Sequence, residues 1–489
     1  MRPPWKTRRR SSGRTGGACD GAFPQHDARA CGPAIMLNIF ILLAVLCMAP
    51  LALLSPFVGL LGWHWIAFMN PHRLGWGAVE TVPAAMIVGA FALGAWMISR
   101  EPKRPPRDWI VFVLFMLAVW ISITTVFALV PEGAFRIWDR SIKILLFTYV
   151  TLCLTTNVHR LHALIWITVL SIGFFSMKGG LFTITTGGQY LVWGPKGSFI
   201  QDNNQLAMAV LMTLPLFFYL SQNAANRYVR WGLLAGLVLS VFSVVGSQSR
   251  GAFVSLVIVS GYLALKSRHR LVFAGLGASL LVALIFFLPE SWIERMQSIQ
   301  EYEQDKSVQG RFDAWTYAWR IFEERPLVGG GFRAYYDGDY FMALVPDALM
   351  PRAWHSVYFE VLGEHGGVGI AIFLTLLLMT WLRASQLEWL GRRHALAWAS
   401  DLGRMCKASL VAFATAGMFL NMAFFDLYYV IIAVVVCGYS IAAQESGETR
   451  VSLRESRRAR SQARTALAPR TAAAVPVPRS ARPTTGGPR

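Results

Sequence analysis

Residues 355–382 read HSVYFEVLGEHGGVGIAIFLTLLLMTWL, and they decide the architecture. A polar stretch over 290–354 ends at His355, and from there the chain re-enters an apolar run. About 17 to 25 such residues cross hydrocarbon as a helix. The histidine at this junction, with Glu364 and a run of glycines after it, sets titratable groups where a membrane-borne molecule meets water. On an ideal helix His355 and Glu364 fall about 180° apart, so they share no face unless the glycines break the helix. Taken alone, His355 reads equally well as a reactive group or as a structural hydrogen-bonding residue.

The rest of the chain has the same character. Of 489 residues 55% are hydrophobic and 15% charged, against about a quarter charged in soluble domains. Apolar runs recur at 37–69, 82–98, 109–130, 141–156, 160–177, 204–221, 229–246, 251–266, 271–289, 355–382, 405–424 and 426–443. The expected fold is all-α: a polytopic membrane protein with about 12 transmembrane helices in residues 36–443 and one long outer loop, 290–354. The first run is interrupted at Ser55-Pro56 and reads as one kinked crossing or two short pieces. Proline there removes a backbone donor, which a membrane tolerates only where neighbours compensate.

Net charge is +19, of which the tails carry 14: +5 over residues 1–35 and +9 over 450–489. Both tails (1–35 and 444–489) are expected to be disordered and basic, touching anionic lipid rather than nucleic acid. Met36, directly before the first apolar run, is a second candidate start. Basic clusters at 100–107, 226–230, 266–270 and 383–407 all fall on the cytoplasmic side if twelve crossings leave both termini inside. Counting the first run as two crossings moves only the N-terminus outside. Four of six cysteines lie inside apolar segments and none in the long loop, so no disulfide framework is expected. Metal-ligand spacings and cofactor fingerprints are absent from the sequence.

Particular polar groups stand out on the outer face. Lys178 opens KGGLFTITTGG, and Lys196 precedes GSFIQDNNQLAMAV, where Asp202, Asn203 and Asn204 start a helix. Asx residues there are common N-caps, yet the cluster exceeds what one cap requires and suits hydroxyls or anions. Arg250 of SQSRGAF sits in a tight connection at headgroup depth, where an ionisable side chain is a functional candidate and headgroup snorkelling the bland alternative. RFDAWTYAWRIFEERPLVGGGF places Arg311, Trp315, Ala318, Trp319 and Phe322 at helical spacing. That predicts an amphipathic helix on the membrane surface, ended by Pro326 and Gly329-Gly330-Gly331. Without a following Lys-Ser/Thr, the glycine run is no P-loop.

GPKGSFIQDNN, SQSRGAF, RFDAWTYAWRIFEERPLVGGGF and HSVYFEVLGEHGGVGI, in that order, resemble the O-antigen ligase/polymerase superfamily of bacterial inner membranes over residues 37–443. MNPHR (69–73) with the KGG and DNN stretches is similar to the O-glycosylation ligase branch associated with exosortase clusters. The resemblance implies a metal-independent membrane glycosyltransferase, active on the periplasmic side, that moves a glycan from undecaprenyl diphosphate to a glycan or protein acceptor hydroxyl. It implies catalytic roles for His355 and Arg250, and contacts to substrate from Arg311 of the loop helix. Lys178, Lys196, Asp202, Asn203, Asn204, Glu364, Gly329 and Gly331 complete the candidate substrate-binding set. Two departures stand out: Ser356 where the family often has Asn, and Gly329-Gly330-Gly331 where it has Gly-x-Gly.

The implied chemistry is self-consistent. With no ATP on that side, the donor must arrive activated, and a polyprenyl diphosphate is such a leaving group. Negative charge builds on it as it departs, and arginine can supply the stabilisation a metal gives elsewhere. A histidine near the acceptor hydroxyl can act as general base or as an orienting group. No second carboxylate is placed as an obvious nucleophile, so inversion by direct displacement is expected. A polymerase of the same superfamily and a lipid-linked-sugar flippase are the competing readings. The flippase predicts internal repeats with paired broken helices, and no convincing repeat is present.

Overall fold

The computed structural model describes residues 28–75, 77–266 and 306–447. The described residues form 14 α-helices, with no strand among them. Six helices are long and apolar enough to cross a membrane: α4 (Trp109–Val126), α6 (Val158–Thr185), α7 (Asn203–Asn223), α8 (Arg227–Gly246), α12 (Val357–Arg393) and α14 (Asp426–Glu445). Helices α1 (Ala28–Leu54), α2 (Pro56–Met69), α3 (Ala84–Ile98), α5 (Pro131–Leu154), α9 (Arg250–Lys266) and α13 (Ala397–Ala416) pack among them. The expected count of about 12 crossings is therefore matched only in part; the run at 271–289 and both basic tails lie largely outside the described residues.

The most enclosed helices, which are not the most apolar ones, occupy the middle of the bundle. In α7 and α14, 83% of the membrane-length window is buried, against 28% in α4 and α12. A helix hydrophobic all round is enclosed by protein or by lipid; α4 turns Phe112 and Phe115 outward, as a lipid-facing helix can. Within α7, Pro215 disrupts the backbone ladder, and the Ser409 hydroxyl of α13 donates to Met212 O in the turn before it. Helices α6 and α8 approach closely because Gly180 has no side chain: a Cβ there would stand 1.9 Å from Leu239 O.

The first apolar run resolves into two helices. Ser55 is extended, and α2 folds back along α1, so that Gly62 faces Met48 and Gly59 faces Ala52. Asn38 thereby lies against Gly75, and α1 begins at the end of the bundle where α2 stops. The single kinked crossing is not what forms. A lone turn residue reversed the direction, which hydropathy does not register.

Charged connections are paired at the end opposite the polar loop. Arg160 bridges Glu101 at 2.6 Å, Arg383 bridges Asp108 at 2.8 Å, and Lys407 bridges Glu388 at 2.5 Å. At the other end, α10 (Lys306–Glu324) and α11 (Gly338–Leu344) build a small cap. Its core is Tyr317, Ala318, Ile321, Phe341, Val345 and Trp354. Helix α10 is amphipathic as expected, yet its buried face packs on this core and on α12.

Candidate functional site

The stretch from Gly197 to Asn204 organises the loop end of the bundle. The Arg73 guanidinium lies 3.2 Å from where a Gly197 Cβ would stand, a position open because Gly197 has a φ of +70°. The Arg140 guanidinium lies 3.7 Å over the Phe199 ring. Asp202 caps α7 by accepting from Asn204 N at 2.9 Å, so the capping expectation holds, and it also interacts electrostatically with His355. Asn203 donates to Ser247 O at 2.7 Å, tying α7 to the turn that ends at Arg250.

Next to that turn a cleft of about 280 Å³ opens, lined among others by Asn203, Asn204, Arg250, Arg311 and Phe419. Four of the sequence-selected residues thus meet from three separate segments. Arg250 opens α9, and the Phe419 ring comes close to its neighbour Gly251, 2.8 Å from where a Cβ would stand. Arg311 comes from α10, the loop helix. Lys178 and Lys196 are exposed and do not line this cleft; Lys178 lies inside α6 rather than at its end.

His355 is half-buried just before α12, with a left-handed φ of +47°. Such a backbone is uncommon for a residue with a side chain and persists only when its surroundings hold it. Trp354 does the holding. Its carbonyl accepts from Trp315 Nε1 at 2.9 Å, and its own Nε1 donates to Glu364 Oε1 at 2.9 Å. The indole is fully buried, stacked on Tyr317 with Tyr335 at its edge. Burial and the nearby Arg311 and Arg352 lower the His355 pKa below its ordinary value of 6.5, with Asp202 opposing. The imidazole is therefore held neutral and able to accept a proton.

Glu364 and the glycines are placed differently from their expected role at the substrate. Glu364 is buried, and its Oε1 accepts from both Trp354 Nε1 and Arg333 N. Gly330 N donates to Gly363 O and Gly331 N to Glu364 O. Gly329 and Gly331 adopt φ of +65° and +78° beneath α12 and α4. All three belong to the joint between loop and bundle because α12 breaks at Gly366 (φ 66°, ψ −167°), freeing carbonyls that the glycine run satisfies. A Cβ at Gly366 would stand 2.2 Å from Leu327 O. His355 precedes α12, so the helical-wheel spacing does not govern the pair: Glu364 reaches His355 indirectly, through Trp354.

The sequence reading passed over Arg140, Arg333 and Asp426. Arg140 interacts electrostatically with Asp426, which favours its charge, and with Arg333, which opposes it. The available signal is an arginine at the head of the apolar run 141–156; α5 starts ten residues before that run and so carries Arg140 within the helix. Arg352 was missed as well; its side chain runs across Gly310 of α10. Cys47, Cys153, Cys406 and Cys437 are free.

Comparison with known families separates the chain into two parts. Residues 36–225 match a family of unknown function, DUF5935, and residues 235–374 match the O-antigen ligase family. No curated protein matches the chain. Arg250, Arg311 and His355 all fall in the second segment, while Arg73, Arg140, Asn203 and Asn204 fall in the first. Residues 235–374 of this multi-pass helical chain thus carry a segment similar to the O-antigen ligase family, which supports the O-antigen ligase superfamily.

Proposed function

We propose that the chain is a glycan ligase that moves a glycan from a polyprenyl diphosphate carrier to an acceptor hydroxyl at the loop end of the bundle, on the periplasmic side of a bacterial inner membrane. The family assignment supports a membrane glycan ligase or polymerase. The observation that carries the finer reading is the meeting of Arg250 and Arg311 in one cleft, with His355 held neutral beside Arg311. The arginines bind the diphosphate and stabilise its growing charge. His355 takes the acceptor proton as the hydroxyl oxygen attacks the anomeric carbon, and the bond from that carbon to the diphosphate oxygen breaks with inversion. The family's printed description favours the ligase over the polymerase. Reconstituted protein with lipid-linked glycan and a candidate acceptor tests this: glycan attached to acceptor supports it, and only lengthened lipid-linked chains would replace it by the polymerase.

The lowered His355 pKa has a signed consequence. Activity requires the neutral imidazole, so it should persist below pH 6.5 and fall only as the pH drops through the lowered value. Removing a neighbouring cation relieves the repulsion that disfavours imidazolium. Arg311→Gln should therefore shift the acid limb of kcat/KM to higher pH, apart from any loss in rate. An unmoved limb would mean that another group is titrating.

Glu364 offers a second check, because it is expected to position His355 without touching substrate. Glu364→Gln keeps an acceptor oxygen for Trp354 Nε1 and Arg333 N, so activity should be retained. Glu364→Ala leaves both donors buried and unpaired, at about 1–3 kcal/mol each, and should lower kcat while donor KM stays put. Equal loss in the two variants would show that the carboxylate acts by its charge.

A further inference from the structure

Beside Arg311 lies an aromatic group that the reaction above leaves unused. Trp315 is four residues along α10 and on the same face. Phe359 of α12 stacks behind it at 5.0 Å with planes 11° apart, and Phe312 meets it edge-on at 5.6 Å. Trp315 cannot swing away, because its Nε1 is committed to the Trp354 carbonyl. Phe312 stays 47% exposed although the cap core lies on the opposite side of the same helix. An exposed ring braced edge-on by a second, fixed ring is a preformed apolar corner whose exposed face is Phe312.

We infer that Phe312 and Trp315 form a saccharide-binding platform for the pyranose ring next to the donor diphosphate. The axial C–H bonds of a pyranose carry partial positive charge and suit the negative face of an aromatic ring. Spacing agrees for Trp315: it lies one helical turn from Arg311, about 5.4 Å or roughly one sugar ring, and holds Phe312 at its edge, so a diphosphate on Arg311 delivers its first sugar to this ring pair. The Trp354 carbonyl links that turn to His355, setting the anomeric carbon between the platform and the imidazole. Rings immobilised in advance also spare the ordering cost of binding.

This inference rests on the reading of the cleft as a glycan-transfer site. The test is equilibrium binding of the full chain in nanodiscs to two probes, native lipid-linked glycan and sugar-free undecaprenyl diphosphate. Phe312→Ala should weaken the first about three- to tenfold and leave the second unchanged, with Phe312→Trp restoring the difference. Because Phe312 is exposed, this variant spares the cap core; Trp315→Phe, which loses the Trp354 bond, serves as the companion. Equal weakening of both probes, or none for the glycan-bearing one, would overturn the platform alone. Wild-type protein that binds neither probe would remove the transfer reading and the platform together.

Discussion

Replacing His355 with alanine is expected to lower glycan transfer about 10²- to 10⁴-fold while donor binding survives. The loss is confined to chemistry because the arginines of the cleft come from other elements: Arg250 opens α9 and Arg311 lies on α10. Alanine at 355 keeps the caps on both sides, since Trp354 and Glu364 hold the turn through backbone and indole. It even relaxes a strained position only slightly, because alanine also disfavours a φ of +47°. His355→Gln, which can orient a hydroxyl but cannot take its proton, separates the two roles. Recovery of transfer in the glutamine variant would make His355 an orienting group, and single-turnover rates at saturating donor give the answer.

Arg250→Ala is expected to lower kcat about 10²- to 10³-fold, the range for removing one preorganised donor to a developing oxyanion. Donor affinity should fall too, since a ground-state diphosphate already carries charge. Arg250→Lys restores charge without the planar two-pronged geometry and should recover part of the loss. Combining Arg250→Ala with Arg311→Ala should cost less than the product of the single effects, because the side chains line one cleft and are proposed to share one ligand. Kinetics of the four proteins on one lipid-linked donor measure this. Strictly multiplicative losses would argue that the two arginines serve separate groups.

Hydropathy carried most of the bundle and little of its joints. Membrane-length runs located the helices because a backbone in hydrocarbon must satisfy its own hydrogen bonds. Helical spacing and Pro326 delimited α10, and the Asx cluster marked the start of α7. The sequence locates the interruption at Ser55-Pro56 but leaves one kinked crossing and two pieces both open, because α1 and α2 are both apolar and the turn costs a single residue. Glu364, Gly329 and Gly331 were assigned to substrate because polar and flexible residues near a loop histidine look alike in a sequence. Their role depends on the α12 break at Gly366, a contact between segments far apart in the chain. Trp354 escaped for the opposite reason: a tryptophan near a membrane boundary reads as an interfacial anchor, whereas here it is fully buried and grips the peptide before His355.

The DUF5935 segment contributes to the same end of the molecule. Asn203 and Asn204 enter the cleft from it, and Arg73 and Arg140 flank the stretch leading there. The two matched segments therefore meet around one cleft.

The most direct measurement is an electron cryomicroscopy structure of His355→Ala in nanodiscs, with its lipid-linked glycan bound. The diphosphate is expected within hydrogen-bonding reach of Arg250 and Arg311, with the anomeric carbon turned toward residue 355. A diphosphate bound away from both arginines, or a sugar facing away from residue 355, would contradict the proposed reaction centre.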